Sequence, residues 1–119
     1  EGLREIVDLG RWWKEETGLP LPLGGNVVRR DLGPDRIGRI SRALSRSIEY
    51  GLEHRDAALD HAMRYARGLD RSKADRFVGM YVNEWTRGYG EAGRKAVQAL
   101  LDRGFEAGLL PRVRAEYAP

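Results

Sequence analysis

The stretch Leu19-Pro20-Leu21-Pro22-Leu23-Gly24-Gly25 decides how this chain is organised, and we call residues 19–25 the strap. Its two prolines fix an extended backbone and remove two N–H donors, so the stretch cannot pair as a central strand. The strap belongs to a Gly- and Pro-rich beginning, residues 1–33. Residues 34–110 have helical periodicity, and residues 111–119 are expected to form a loosely held tail.

Short extended pieces are predicted on both sides of the strap. Residues 5–9 are a strand candidate that Gly10 ends, and residues 26–30 are a second one with β-branched residues at its centre. Between them, residues 11–17 predict a short helix with Gly18 as its stop. Strands this short need partners in a sheet. We therefore expect a missing N-terminal part of the same protein to supply that sheet.

Four helices are predicted over residues 34–106. The first has Pro34 at its first position, the second covers residues 55–67, and the third runs from the N-cap Asp70 to residue 85. Gly88 and Gly90 break the chain before the fourth, over residues 91–106. The apolar stripes of the first and third helices, which we expect to face inward, are Ile37, Ile40, Leu44, Ile48 and Leu52, and Ala74, Phe77, Tyr81 and Trp85.

Composition excludes several classes of site. The chain has no cysteine, so disulfides, thiolate metal sites and a cysteine nucleophile are excluded. Its two histidines, His54 and His61, have no third ligand near them, so no metal site is expected. The 21 basic and 18 acidic residues are mixed, which argues against a nucleic-acid partner. No apolar run approaches the roughly 20 residues of a membrane helix.

One segment resembles a known family. The stretch VDLGRWWKEETGLPLPLG at residues 7–24, continued by residues 29–33, is similar to a hallmark segment of the 1,4-dihydroxy-6-naphthoate synthases. Residues 81–83 and 89–94 look like the late helices of that family. The resemblance extends from residue 5 to about residue 108. Since the chain begins with Glu1 rather than Met, we expect it to be the C-terminal portion of such a protein.

The resemblance implies a two-lobed α/β fold of the type II periplasmic-binding-protein kind, of which this piece is mostly helical with a few short strands. It implies a cytoplasmic, lyase-type enzyme of the futalosine route to menaquinone, which converts cyclic dehypoxanthinyl futalosine to 1,4-dihydroxy-6-naphthoate. It implies no metal or organic cofactor, and it allows for a homodimer. The proposed catalytic base is a histidine upstream of this chain, so the chain alone is expected to be inactive and to hold no catalytic residue.

The substrate-binding residues expected here are Gly24, Gly25 and Asn26. In the family's fold, the strap is similar to the segment that returns between the lobes beside the cleft. The two glycines would let backbone approach a ligand, and Asn26 would offer an amide to a substrate hydroxyl or carbonyl. The alternatives are a rigid link for the strap and a turn residue for Asn26.

Other conspicuous residues favour structural explanations. Of the adjacent Trp12 and Trp13, one is expected in the core and the other at a surface. Glu15 and Glu16 diverge on a helix and predict a solvated face. Asn83 is expected to be a structural amide, and the His61 side chain is expected to be exposed. His54, near a helix junction, is expected to act as a cap or a titrating group rather than as a catalyst.

Three other functions stay open at this stage. One is a non-catalytic solute-binding protein of the same fold, and another is the chorismate dehydratase of the sister group. The third is an arginine-rich helical nucleic-acid module, which would use one stripe of the first long helix. That stripe, for which a solvated face is the simpler explanation, consists of Arg36, Arg39, Arg42 and Arg46.

Overall fold

A computed structural model of the chain describes residues 2–66 and 68–119. Its α-helices are α1 (Leu9–Thr17), α2 (Pro34–Glu53), α3 (Arg55–Met63), α4 (Arg71–Tyr81), α5 (Glu84–Arg87) and α6 (Gly90–Glu106), with a 3-10 helix at Arg30–Leu32. Contacts divide the described residues into two compact units. The first unit contains the described residues up to Val27 together with Tyr89–Tyr117, and the second contains those from Val28 to Gly88 together with Ala118–Pro119.

Both predicted strands are wrong. Residues 5–8 have no regular structure, and Leu9 begins α1, so Gly10 lies inside a helix instead of ending a strand. Residues 26–29 are irregular as well, and Arg30 opens the 3-10 helix. The expected α/β character with a few short strands is therefore corrected to helices alone over residues 2–66 and 68–119. A strand satisfies its N–H and C=O groups through neighbouring strands, and these ranges contain no neighbouring strand.

The short helix before the strap is confirmed, with caps at both ends. The Asp8 carboxylate accepts a hydrogen bond of 3.0 Å from the Arg11 N–H and caps the helix start. That bond is the main cause of the lowered pKa of Asp8. Gly18 ends the helix with φ of 70°, and its N–H donates to the Lys14 carbonyl at 2.8 Å. Only glycine adopts this left-handed geometry without steric cost, so Gly18 is the stop that the sequence predicts.

The first long helix is also confirmed, because Pro34 is the first residue of α2. Its break from α3 falls at His54, whose N–H donates to the Tyr50 carbonyl at 2.9 Å. The His54 ring stacks on the Tyr50 ring with centroids 4.0 Å apart. The second predicted helix is shorter than expected, since α3 ends at Met63. The end proposed at Arg67 lies outside the described residues.

The third predicted helix starts correctly but ends too late. The Asp70 carboxylate accepts from the Lys73 N–H at 2.9 Å and caps α4, as its sequence predicts. However, α4 ends at Tyr81, and Asn83 begins the separate helix α5. The Asn83 side chain accepts from the Trp85 N–H at 2.9 Å and donates to the Met80 carbonyl at 3.2 Å. Residues 34–106 therefore hold five α-helices within their described part instead of four.

The fourth predicted helix is confirmed as α6, which starts one residue early because Gly90 is its first helical residue. The tail after α6 was predicted to be loosely held, but hydrogen bonds attach it to this helix. The Gln98 side chain donates to the Val113 carbonyl and accepts from the Ala115 N–H, both at 3.0 Å. This amide therefore fastens the tail to α6 through main-chain groups.

Few of the predicted inward-facing side chains are covered. Among the described residues, the buried hydrophobic side chains are Trp13, Leu59, Ala74 and Ala96. Phe77, Tyr81 and Trp85, which were expected to face inward, are 55%, 53% and 51% exposed. Ile40 and Leu44 on α2 are exposed as well. An exposed apolar face of this extent is typical of a surface that another part of a protein covers.

Candidate functional site

The strap lies in the first unit, and its start is anchored by Trp13. The Trp13 ring is 3% exposed, and its Nε1 donates to the Pro20 carbonyl at 3.1 Å. The Arg103 guanidinium of α6 lies 5.0 Å from the centre of the Trp13 ring. Trp12, by contrast, is 45% exposed, so the division of the two tryptophans between core and surface is confirmed. Trp13 thus connects α1, α6 and the beginning of the strap.

A second anchor fixes the turn between α1 and the strap. The Thr17 hydroxyl donates to the Trp13 carbonyl at 2.7 Å, and the same oxygen accepts from the Leu19 N–H at 3.1 Å. Lys14 also donates to the Gly18 carbonyl at 2.5 Å. These bonds satisfy main-chain groups that a helix end would otherwise leave unpaired.

The three predicted substrate-binding residues lie together at the far end of the strap, in the first unit. Gly24, Gly25 and Asn26 are all exposed and belong to no helix or strand. Neither glycine is among the described glycines with positive φ. Backbone strain is therefore not the reason for glycine at these positions, and only the absence of a side chain is left to explain them.

The two glycines differ in what a side chain would meet. A Cβ added to Gly25 would lie 3.0 Å from the Tyr89 hydroxyl oxygen, whereas one added to Gly24 would meet no described atom within 4 Å. Gly25 is thus a point where the strap and Tyr89 approach closely. Tyr89 was not among the site residues predicted from the sequence, in which it stands out only by lying between Gly88 and Gly90.

The Tyr89 ring packs against the tail. The Tyr117 ring packs edge-on against the Tyr89 ring, with centroids 5.6 Å apart and planes at 61°. The Arg94 guanidinium lies 4.8 Å from the centre of the Tyr117 ring, and the Tyr117 hydroxyl donates to the Arg94 carbonyl at 3.4 Å. Strap, α6 and tail are therefore connected through two aromatic rings packed edge-on.

The second unit has an open groove of about 550 Å³, which is lined by Arg55, Asp56, Leu59, Arg71, Ser72 and Asp75. Arg55 pairs with Asp75 at 2.8 Å, and Arg71 pairs with Asp56 at 3.0 Å and also with Asp60. The hydrogen bonds that Arg71 donates to Asp60 and Asp56 raise its pKa. Since both arginines already have carboxylate partners, the groove offers no unpaired charge to a charged ligand.

The other singled-out side chains form no site. His61 and the pair Glu15 and Glu16 are exposed, as predicted. Across residues 2–66 and 68–119, no group of three or more His, Cys, Asp or Glu side chains could hold a metal ion. The four arginines of the α2 stripe are exposed. Within the same described ranges, no helix has the length and apolar character that crossing a membrane requires.

The family of the chain follows from sequence comparison. Residues 1–106 match the model of a family described as "Menaquinone biosynthesis", and the chain belongs to this family. The match includes the strap and Tyr89, and it confirms the resemblance recognised from the stretch at residues 7–24.

Particular relatives make the similarity more specific. A 1,4-dihydroxy-6-naphthoate synthase of Thermus thermophilus is 43% identical over 91% of this chain, and one of Streptomyces coelicolor is 37% identical over 92%. A crystal structure of a protein from Archaeoglobus fulgidus superposes with a TM-score of 0.82 and 42% identity over 88% of the chain. The chain spans only 40% and 39% of the two synthases and 40% of the crystallised protein.

Proposed function

We propose that this chain is the C-terminal part of a cytoplasmic, lyase-type enzyme that converts cyclic dehypoxanthinyl futalosine to 1,4-dihydroxy-6-naphthoate. One observation carries the proposal: two proteins with this synthase name are 37% and 43% identical to the chain over more than nine-tenths of its length. The rest of the protein then supplies the second part of a two-lobed, periplasmic-binding-protein-like fold. The exposed side chains of α2 and α4 support this proposal, since they need covering.

Within the proposed enzyme, this part contributes binding rather than proton transfer. Gly24 and Gly25 expose main-chain groups, and the Asn26 amide can both donate and accept hydrogen bonds. None of these three residues is ionisable, so they supply no catalytic base, and the proposal places the base in the part of the enzyme outside this chain. The proposal gives His54 no catalytic role, because its contacts are those of the junction between α2 and α3, where its ring stacks on Tyr50 and its Nδ1 lies 3.0 Å from the Tyr50 carbonyl.

Turnover by the full-length protein is the direct test. We expect purified full-length protein to convert cyclic dehypoxanthinyl futalosine to 1,4-dihydroxy-6-naphthoate, and a variant with both His54→Ala and His61→Ala to keep its kcat/KM. Substrate that binds without turnover would instead support a solute-binding protein, and consumption of chorismate would support the sister activity. Either result would refute the proposed reaction.

The role of Asn26 has a matched control in Asn83. We expect Asn26→Ala to lower kcat/KM by up to about tenfold, which corresponds to one neutral hydrogen bond to substrate. Asn83→Ala removes the cap of α5 and should lower the melting temperature while leaving kcat/KM of the folded enzyme unchanged. If Asn26→Ala leaves kcat/KM unchanged, Asn26 is a turn residue and does not belong to the proposed site.

A further inference from the structure

We propose that Tyr89 is a positioning residue for the substrate-binding end of the strap, and that Tyr117 of the tail holds it in place. This inference rests on the proposed function, because it concerns how Gly24, Gly25 and Asn26 meet the substrate. In this proposal, Tyr89 does not contact the substrate itself. It acts through the strap, by limiting how far Gly25 can move towards α6.

The close approach at Gly25 is the first observation. The position of a Cβ on Gly25 lies 3.0 Å from the Tyr89 hydroxyl oxygen, so the oxygen occupies the space next to the main chain of the strap. An alanine there would force either the hydroxyl or the strap to move. Because Asn26 is the next residue in the chain, a displaced Gly25 also displaces the amide that is proposed to bind substrate.

The fixed position of the Tyr89 ring is the second observation. The residue immediately precedes α6, so its main chain is set by that helix. Its ring packs edge-on against Tyr117, which in turn carries the Arg94 guanidinium over its own ring at 4.8 Å. Gln98 fastens the intervening tail through the Val113 carbonyl. The hydroxyl therefore sits on a supported ring and resists a shift of the strap.

Gly25 had been expected to be a glycine so that a ligand could approach. The geometry points to a second cause, the approach of Tyr89, and the two causes predict different results in a double variant. If Tyr89 is the obstacle to a Cβ, then Tyr89→Phe removes the obstructing oxygen and restores the function of Gly25→Ala. If only the ligand is the obstacle, Tyr89→Phe restores nothing.

The experiment measures steady-state kinetics of full-length variants with cyclic dehypoxanthinyl futalosine. We expect Gly25→Ala to raise KM about tenfold with kcat within about twofold, because a shifted strap weakens binding. The combination of Gly25→Ala with Tyr89→Phe should return KM to within about twofold of Tyr89→Phe alone. Tyr89→Phe should leave the effect of Gly24→Ala unchanged, since Gly24 is not near the hydroxyl. Tyr65→Phe, at an exposed tyrosine of the second unit, controls for the loss of a hydroxyl.

A second measurement does not depend on turnover. The backbone N–H groups of residues 23–28 should have lower NMR order parameters in ligand-free full-length Tyr89→Phe and Tyr117→Ala than in wild type. Tyr117→Phe keeps the ring and should give the wild-type order parameters. If wild type does not convert the substrate, the proposed function fails and the order parameters alone decide whether Tyr89 holds the strap. Absence of rescue in an active enzyme, or unchanged order parameters in Tyr89→Phe, would overturn the positioning role.

Discussion

Replacing Trp13 with phenylalanine removes the side chain on which the packing of the first unit and the strap depends. The indole is 3% exposed, donates to the Pro20 carbonyl at 3.1 Å, and lies 5.0 Å below the Arg103 guanidinium. Phenylalanine keeps an aromatic ring in the site, so the fold should survive. It lacks the N–H and the second ring, and it presents a weaker π face to the arginine.

Each lost interaction has an expected size. The hydrogen bond to Pro20 contributes about 1 kcal/mol, and the unfilled volume of the second ring costs about 1 to 2 kcal/mol. Weakening of the cation–π contact costs about 0.5 kcal/mol. Trp13→Phe should therefore lower the free energy of unfolding by about 3 kcal/mol.

Urea unfolding of the full-length protein, followed by circular dichroism, measures this difference, and the neighbouring residue provides the control. Trp12 is 45% exposed and contacts Trp13 only edge-on, with ring centroids 6.5 Å apart, so Trp12→Phe should cost less than about 0.5 kcal/mol. Equal losses for the two variants would refute the assignment of Trp13 as the anchor of the strap.

Two further predictions concern helix interiors and caps. Gly51→Ala should raise the free energy of unfolding by about 0.5 to 1 kcal/mol, because an alanine Cβ in this α2 position meets no described atom within 4 Å. Gly104→Ala should gain less in the same urea titration, since its Cβ would lie 2.7 Å from Leu110 Cδ1, and an equal gain would contradict this reasoning. The pKa of Asp70 lies below its ordinary value of 3.8, mainly because its carboxylate accepts a hydrogen bond from the Lys73 N–H. The stability that Asp70 contributes is therefore fully present above pH 3.8. It is lost as the pH falls through the lower pKa of the folded state. Asp70→Asn should therefore reduce the drop in melting temperature over that acid range, and an unchanged pH profile would show that the Asp70 charge does not stabilise α4.

The parts of the fold that the sequence predicted are those with local causes. Asp70 and Gly18 act on main-chain groups three or four residues away, so their types and spacing are enough to place a helix start and a helix end. The end of α4 was misplaced because the apolar spacing continues to Trp85, whereas the Asn83 amide donates to the Gly79 and Met80 carbonyls at the end of the helix. A cap competes with periodicity here, and the cap decides the boundary.

Features that depend on distant partners could not be predicted. Residues 5–9 have the composition of a strand, but a strand exists only when another strand pairs with it. The residues of the candidate site also differ in whether the sequence alone could predict them. Gly24 and Gly25 were proposed from their residue types, while the approach of Tyr89 to Gly25 became evident only from the fold. No local pattern encodes a contact between residues so far apart in the chain.

The Gln98 clasp has a consequence for which positions in the tail are free to vary. The amide recognises the Val113 carbonyl and the Ala115 N–H, as a neighbouring strand would, and it contacts no side chain of either residue through these bonds. Many side chains can therefore occupy positions 113 and 115 without loosening the clasp. Proline at 115 is the exception, because it has no N–H to donate. The residue type therefore matters at position 98 more than at positions 113 and 115, because one neutral glutamine amide supplies both the donor and the acceptor. The Gln98 amide nitrogen also donates to the Asp102 carboxylate at 2.8 Å, so a second residue of α6 orients the amide.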